Sequence, residues 1–61
     1  MTKAELLNGK TFEYNKFVVG YCQKDKMFYA KKHFSNQWLF STNRFDYMQE
    51  FIEANEAILL T

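Results

Sequence analysis

The stretch Ser41-Thr42-Asn43 divides this sequence into two parts that differ in pattern and in charge. Before it, β-branched and aromatic residues come in short runs, such as residues 17–23, which is typical of β-strands. After it, residues 44–60 repeat apolar side chains at the spacing of an amphipathic helix. In residues 1–35, seven lysines against three acidic residues give +4; in residues 36–61, one arginine against four acidic residues gives −3. The sequence therefore predicts a basic sheet joined to an acidic helix.

The part before this stretch predicts one short helix and several strands. Glu5 follows Thr2 at the spacing of a capping box, and Gly9 predicts the end of a helix of one to two turns. Short polar connections then separate the remaining runs, and strands joined by short connections pair antiparallel with their sequence neighbours. We expect strands at residues 10–14, 17–23, 27–33 and 37–40.

The part after this stretch predicts one long helix. Ser41, Thr42 or Asn43 is expected to cap it, and Ser41 would place Phe40 and Phe45 at the spacing of a hydrophobic staple. The predicted fold is α+β and forms a single domain of residues 1–61. It consists of a short N-terminal helix, a three- to four-stranded antiparallel β-meander and a C-terminal amphipathic helix packed on one sheet face.

The small number of reactive side chains argues against catalysis and against a metal site. Cys22 is the only cysteine and His33 the only histidine, whereas a structural zinc site needs four ligands. A nucleophilic thiol needs a base and an orienting group, and nothing in the sequence places His33 beside Cys22. We expect a non-enzymatic protein with no catalytic residue, no cofactor and no bound metal. Cys22 is expected to act as a small core residue.

The predicted sheet has more apolar surface than one helix covers. Side chains alternate along each strand, and large apolar residues fall on both faces. We expect the helix to cover the face with the small residues Gly20, Cys22 and Ala30. The opposite assignment would leave Phe28, Trp38 and Phe40 uncovered. In a third arrangement, Leu6 and Leu7 of the short N-terminal helix cover the face that the long helix leaves exposed. On the first arrangement the partner-binding residues would be Phe17, Val19, Tyr21, Met27, Tyr29 and Leu39.

Lysines interleaved with aromatic residues support an alternative function, nucleic-acid binding. Lysines neutralise phosphates and aromatic rings stack on bases. The isoelectric point of 7.8 is lower than the value above about 9 that is usual for such domains. A meander followed by one helix also resembles, in topology alone, the DNA-binding modules of some tyrosine recombinases, whose sheet enters the major groove. The alternative site would comprise Lys24, Lys26, Lys31, His33 and Trp38.

The function expected from the sequence is that of a small interaction protein, a regulator or inhibitor that binds a protein partner or forms a homodimer. Lys, Asn, Phe and Tyr make up 23 of the 61 residues, and their AT-rich codons suggest an AT-rich bacterial or phage genome. The protein is expected to be encoded by a phage or another mobile element. A single unpaired cysteine is typical of the cytoplasm. The sequence has no apolar run of about 20 residues, so no membrane span is expected.

Overall fold

The computed structural model describes residues 2–55 and has the predicted α+β architecture. The four strands form one antiparallel sheet in the order β1-β2-β3-β4, so each strand pairs only with its neighbours in sequence. The elements are α1 (Lys3–Leu7), β1 (Phe12–Glu13), β2 (Val18–Cys22), β3 (Met27–Lys31), β4 (Trp38–Thr42) and α2 (Phe45–Ala54).

Helix α1 begins and ends as its sequence predicts. The Thr2 hydroxyl accepts a hydrogen bond from the Glu5 backbone N–H, and the Glu5 carboxylate accepts one from the Thr2 backbone N–H. These reciprocal bonds satisfy two N–H groups that a helix start leaves without partners. Gly9 follows the helix with φ of 93°, a conformation that costs glycine little because it has no Cβ.

Helix α2 begins later than its cap was predicted to lie. Ser41 and Thr42 belong to β4, and the N-cap of α2 is Arg44, whose side chain makes no capping hydrogen bond. The Thr42 hydroxyl instead accepts a hydrogen bond from the Arg44 backbone N–H at the turn between strand and helix. The predicted caps and the staple were therefore wrong, because pairing with β3 extends β4 to Thr42. Residues 56–60 of the predicted helix lie outside the described residues.

The pairing of β2 with β3 decides which side chains share a face. The connection at residues 23–26 pairs Cys22 with Met27, so odd-numbered residues of β2 lie beside even-numbered residues of β3. Val19 therefore shares a face with Ala30, and Gly20 shares the other face with Tyr29.

Both helices pack on the same face of the sheet. Leu6 of α1 belongs to the same buried cluster as Met48 and Ile52 of α2. The third arrangement, in which Leu6 and Leu7 close the opposite face, was therefore wrong. The other members of this core are Tyr14, Phe17, Val19, Phe28 and Ala30, with Phe12, Tyr21, Phe40, Phe45 and Phe51 packed against it.

The face assignment expected from the sequence was wrong for β2, although it was correct for Met27, Tyr29 and Ala30 of β3. Phe17 is 2% exposed and Val19 is completely buried beneath the helices, and Tyr21 packs against them. Burying a large apolar side chain stabilises a protein by about 1.5–3 kcal/mol, and a glycine contributes almost none of this. The register therefore places the helices over the large side chains, and leaves Gly20 and Cys22 on the opposite face.

Candidate partner-binding surface

The face of the sheet opposite the helices has no covering element among residues 2–55. We call this surface the open face. Leu39 adjoins it as the extra residue of a β-bulge, because Trp38 pairs with Lys31 and Phe40 pairs with Ala30. The open face comprises Glu13, Val18, Gly20, Cys22, Met27, Tyr29, Lys31, Trp38 and Ser41.

Two stacked aromatic rings lie at the centre of the open face. The rings of Tyr29 and Trp38 are 5.0 Å apart between centroids and only 6° from parallel. Tyr29 also extends over Gly20, since a Cβ on Gly20 would lie 2.5 Å from the Tyr29 Oη and 2.7 Å from its Cζ. The absence of a side chain at Gly20 thus lets Tyr29 lie across β2. The half-buried rings of Tyr29 and Trp38 together form a surface that we call the aromatic platform. Leu39, which follows Trp38 in sequence, is 48% exposed.

A groove of about 610 Å³ continues from this platform towards the connection between β3 and β4. Phe34 stands at this end and is fully exposed, with φ of 60°. A positive φ is unusual for a bulky residue and costs about 1 kcal/mol or more. The groove is lined by Thr11, Glu13, Asn15, Val18, Tyr29, Lys31, His33 and Phe34.

His33 holds this connection against the first hairpin. Its Nε2–H donates a hydrogen bond of 2.6 Å to the backbone carbonyl of Tyr14. Tyr14 is itself anchored, because its N–H donates to the Phe17 carbonyl and its ring stacks on that of Phe17. Burial raises the pKa of the Tyr14 phenol. The exposed Phe34 is therefore presented by a backbone that is tied to the core.

The open face carries one charge of each sign within its strands, Glu13 and Lys31. The acidic residues of α2 belong to the helical layer on the other side of the sheet. A face with balanced charges has no strong preference for the phosphates of nucleic acid.

Two ion pairs lie outside the open face. Lys10 Nζ is 3.2 Å from Glu5 Oε2, and its hydrogen bond, followed by that of Thr2, lowers the pKa of the Glu5 carboxyl. Arg44 is 3.2 Å from Asp46 and lowers the pKa of that carboxyl in the same way. Both pairs are exposed, and such pairs contribute little to stability.

The structure brings together only part of the predicted partner-binding set. Met27 and Tyr29 lie on the open face, and Leu39 lies beside it in the bulge. Phe17, Val19 and Tyr21 belong to the core side instead.

Of the residues predicted for nucleic-acid contact, Lys31 and Trp38 are cross-strand partners on the open face. Lys24 and Lys26 lie in the connection at residues 23–26, beyond the end of β2. His33 uses a ring nitrogen to hold the Tyr14 carbonyl. The five residues therefore do not form one continuous cluster on the strands.

Sequence reasoning missed Phe34 as a surface residue, since it treated the residue as part of a turn. The signal was a large aromatic side chain inside the polar connection at residues 32–37. It also did not identify Gly20 as the residue beneath Tyr29, because that contact depends on the register between β2 and β3.

The expectation that Cys22 is a core residue was wrong, because the register places it on the open face beside Met27. Cys22 is half-buried, and its Sγ lies 3.8 Å from the Asp25 carboxylate. Within residues 2–55, no group of three or more His, Cys, Asp or Glu side chains is placed to hold a metal ion. No helix in the same range is long and apolar enough to span a membrane.

Comparisons with protein-family models, with curated proteins and with solved structures find no match to this chain.

Proposed function

We propose that this protein is a small non-enzymatic binding module whose open face docks onto the surface of another protein. The observation that carries the proposal is that both helices pack on one side of the sheet. The Tyr29–Trp38 platform on the other side has no cover among residues 2–55. Tyrosine and tryptophan are enriched among the residues that dominate binding energy at protein interfaces.

The size of the face indicates a transient complex. Three strands of five residues and one of two cover a flat area of about 280 Å², at about 4.8 Å between strands and about 3.4 Å per residue. A standard interface buries about 800 Å² on each partner, so the strands alone supply less than half of it. Including Phe34 and Leu39 at the margins enlarges the contact. We therefore propose that Phe34 is a second anchor next to the aromatic platform.

A second candidate function is binding of single-stranded nucleic acid. It is favoured by one observation, that Lys31 is the cross-strand partner of Trp38 and adjoins the stacked Tyr29 ring. A cation beside aromatic rings suits a phosphate and a stacked base. The balanced charge of the face and the isoelectric point of 7.8 favour the protein partner.

A pull-down from bacterial lysate with the tagged 61-residue chain tests the proposal. We expect a protein partner to survive nuclease treatment and high salt, and to be lost on Trp38→Ala. Removing an aromatic anchor costs about 2 kcal/mol or more, which is about thirtyfold in affinity. The matched control is Leu7→Ala, because Leu7 is an exposed apolar residue of α1, outside the open face.

Three outcomes would contradict the proposal. If Trp38→Ala captures the same partners as Leu7→Ala, the open face is not the binding surface. If nuclease treatment removes every partner, binding depends on nucleic acid and the second candidate replaces the proposal. If light scattering shows a dimer that Trp38→Ala dissociates, the face binds a second copy of this chain.

A further inference from the structure

Within residues 2–55, the outer edge of β4 is a free strand edge. Strand β4 pairs with β3 alone, so the backbone groups on its other side have no strand partner among residues 2–55. Proteins usually protect such an edge with lysine, with proline or with a bulge. β4 contains neither lysine nor proline, and its bulge at Leu39 leaves the pairing from Phe40 to Thr42 regular.

An apolar groove of about 520 Å³ runs between this edge and α2. We call it the edge groove. The rings of Phe40 and Phe51 stack in it, with centroids 4.6 Å apart and planes within 6°. Tyr47 is 48% exposed on its helical side. The edge groove is lined by Phe40, Ser41, Thr42, Tyr47, Glu50, Phe51 and Ala54.

The charge at the edge groove is negative. Glu50 is the one charged residue in its lining, and no ion pair to it is formed within residues 2–55. Ala54 lies in the last turn of α2, which carries no basic residue. The carbonyl groups at a helix C-terminus carry a partial negative charge that favours cations. A lysine or arginine side chain therefore complements this end of the groove.

We propose that the edge groove binds an extended peptide segment of a partner protein by strand addition to β4. The peptide backbone pairs with the free edge, and alternate side chains enter the groove because side chains alternate along a strand. The charge of the groove selects a segment with apolar residues at alternate positions and a basic residue beside Glu50. This surface lies at the edge of the sheet and shares only Ser41 with the open face.

Fluorescence anisotropy with the 61-residue chain tests the inference. The probe is a labelled seven-residue peptide with valine at alternate positions and lysine at both ends. We expect saturable binding below about 1 mM, and none for the same peptide with N-methylated backbone amides. Glu50→Gln should weaken binding of the lysine peptide roughly two- to fivefold, the range of an exposed ion pair, and the control Glu53→Gln should not. Phe34→Ala should leave peptide binding unchanged, even where it abolishes docking on the open face.

The inference is overturned if the N-methylated peptide binds equally, or if the valine peptide does not saturate. It is also overturned if Glu50→Gln and Glu53→Gln have the same effect. A concentration-dependent dimer that the peptide disrupts would show that a second copy occupies the edge instead.

Discussion

Substituting Gly20 by alanine tests the central contact of the open face. The added Cβ would lie 2.5 Å from the Tyr29 Oη and 2.7 Å from Cζ. Carbon atoms do not approach other heavy atoms this closely, so the ring must leave its place over β2. Because Tyr29 is half-buried on an open face, it can rotate outwards without disturbing the core.

Two opposing terms set the size of this effect. Losing the Tyr29–Trp38 stack costs about 0.5–1.5 kcal/mol. Replacing glycine by alanine within a strand gains roughly 0.5–1 kcal/mol. In the native background the net effect of Gly20→Ala on the free energy of unfolding should therefore lie between a gain of about 0.5 kcal/mol and a loss of about 1 kcal/mol. In a Tyr29→Ala background the clash with the ring is absent, so Gly20→Ala should raise the free energy of unfolding by about 0.5–1 kcal/mol.

Urea unfolding followed by circular dichroism measures this double-mutant cycle, and the fluorescence of Trp38 reports the stack directly. Tyr29→Phe is the control. It removes the hydroxyl but keeps Cζ, so most of the clash should remain. If Gly20→Ala has the same effect in all three backgrounds, Tyr29 does not lie over Gly20 and the aromatic platform is wrongly described.

The remaining predictions concern stability and pH. Phe17→Ala should cost about 3–5 kcal/mol in urea unfolding because it empties a core site, whereas Val18→Ala on the open face should cost less than about 1 kcal/mol. Phe34→Gly should raise the free energy of unfolding by about 1 kcal/mol, since glycine adopts a positive φ without strain; unchanged stability would contradict the strain. The pKa of Glu5 is lowered in the folded state, so ionised Glu5 stabilises the fold above pH 4.5. This stabilisation is lost as the pH falls below that value. Glu5→Gln should therefore reduce the fall in the free energy of unfolding at acid pH, measured by urea unfolding at a series of pH values. If the fall is unchanged, other groups cause it.

The order and type of the elements could be predicted because they depend on local signals. Thr2 and Glu5 fix the start of α1 through their own hydrogen bonds. The short connections leave adjacent strands no arrangement but antiparallel pairing. The capping of α2 was not predictable in the same way, because the tertiary pairing of β4 with β3 placed Ser41 and Thr42 in a strand.

The composition of the candidate site could be predicted only in part. Alternation within a strand is a local property, so Met27 and Tyr29 were correctly placed on one face of β3. Which residues of two neighbouring strands share a face depends on the register between the strands, and a shift of one residue exchanges the two faces. This is why Phe17 and Val19 were expected on the open face and lie in the core. The bulge at Leu39 adds a second such uncertainty in β4.

The order β1-β2-β3-β4 has a consequence for how quickly the chain reaches its native state. Every strand pair closes through a connection of a few residues, so the entropy lost in closing each loop is small. Domains dominated by such local contacts fold faster than β-proteins in which distant segments must meet. The chain also contains no proline, so slow isomerisation of prolyl bonds cannot delay it. Refolding from urea should therefore be a single fast phase, completed well within a second.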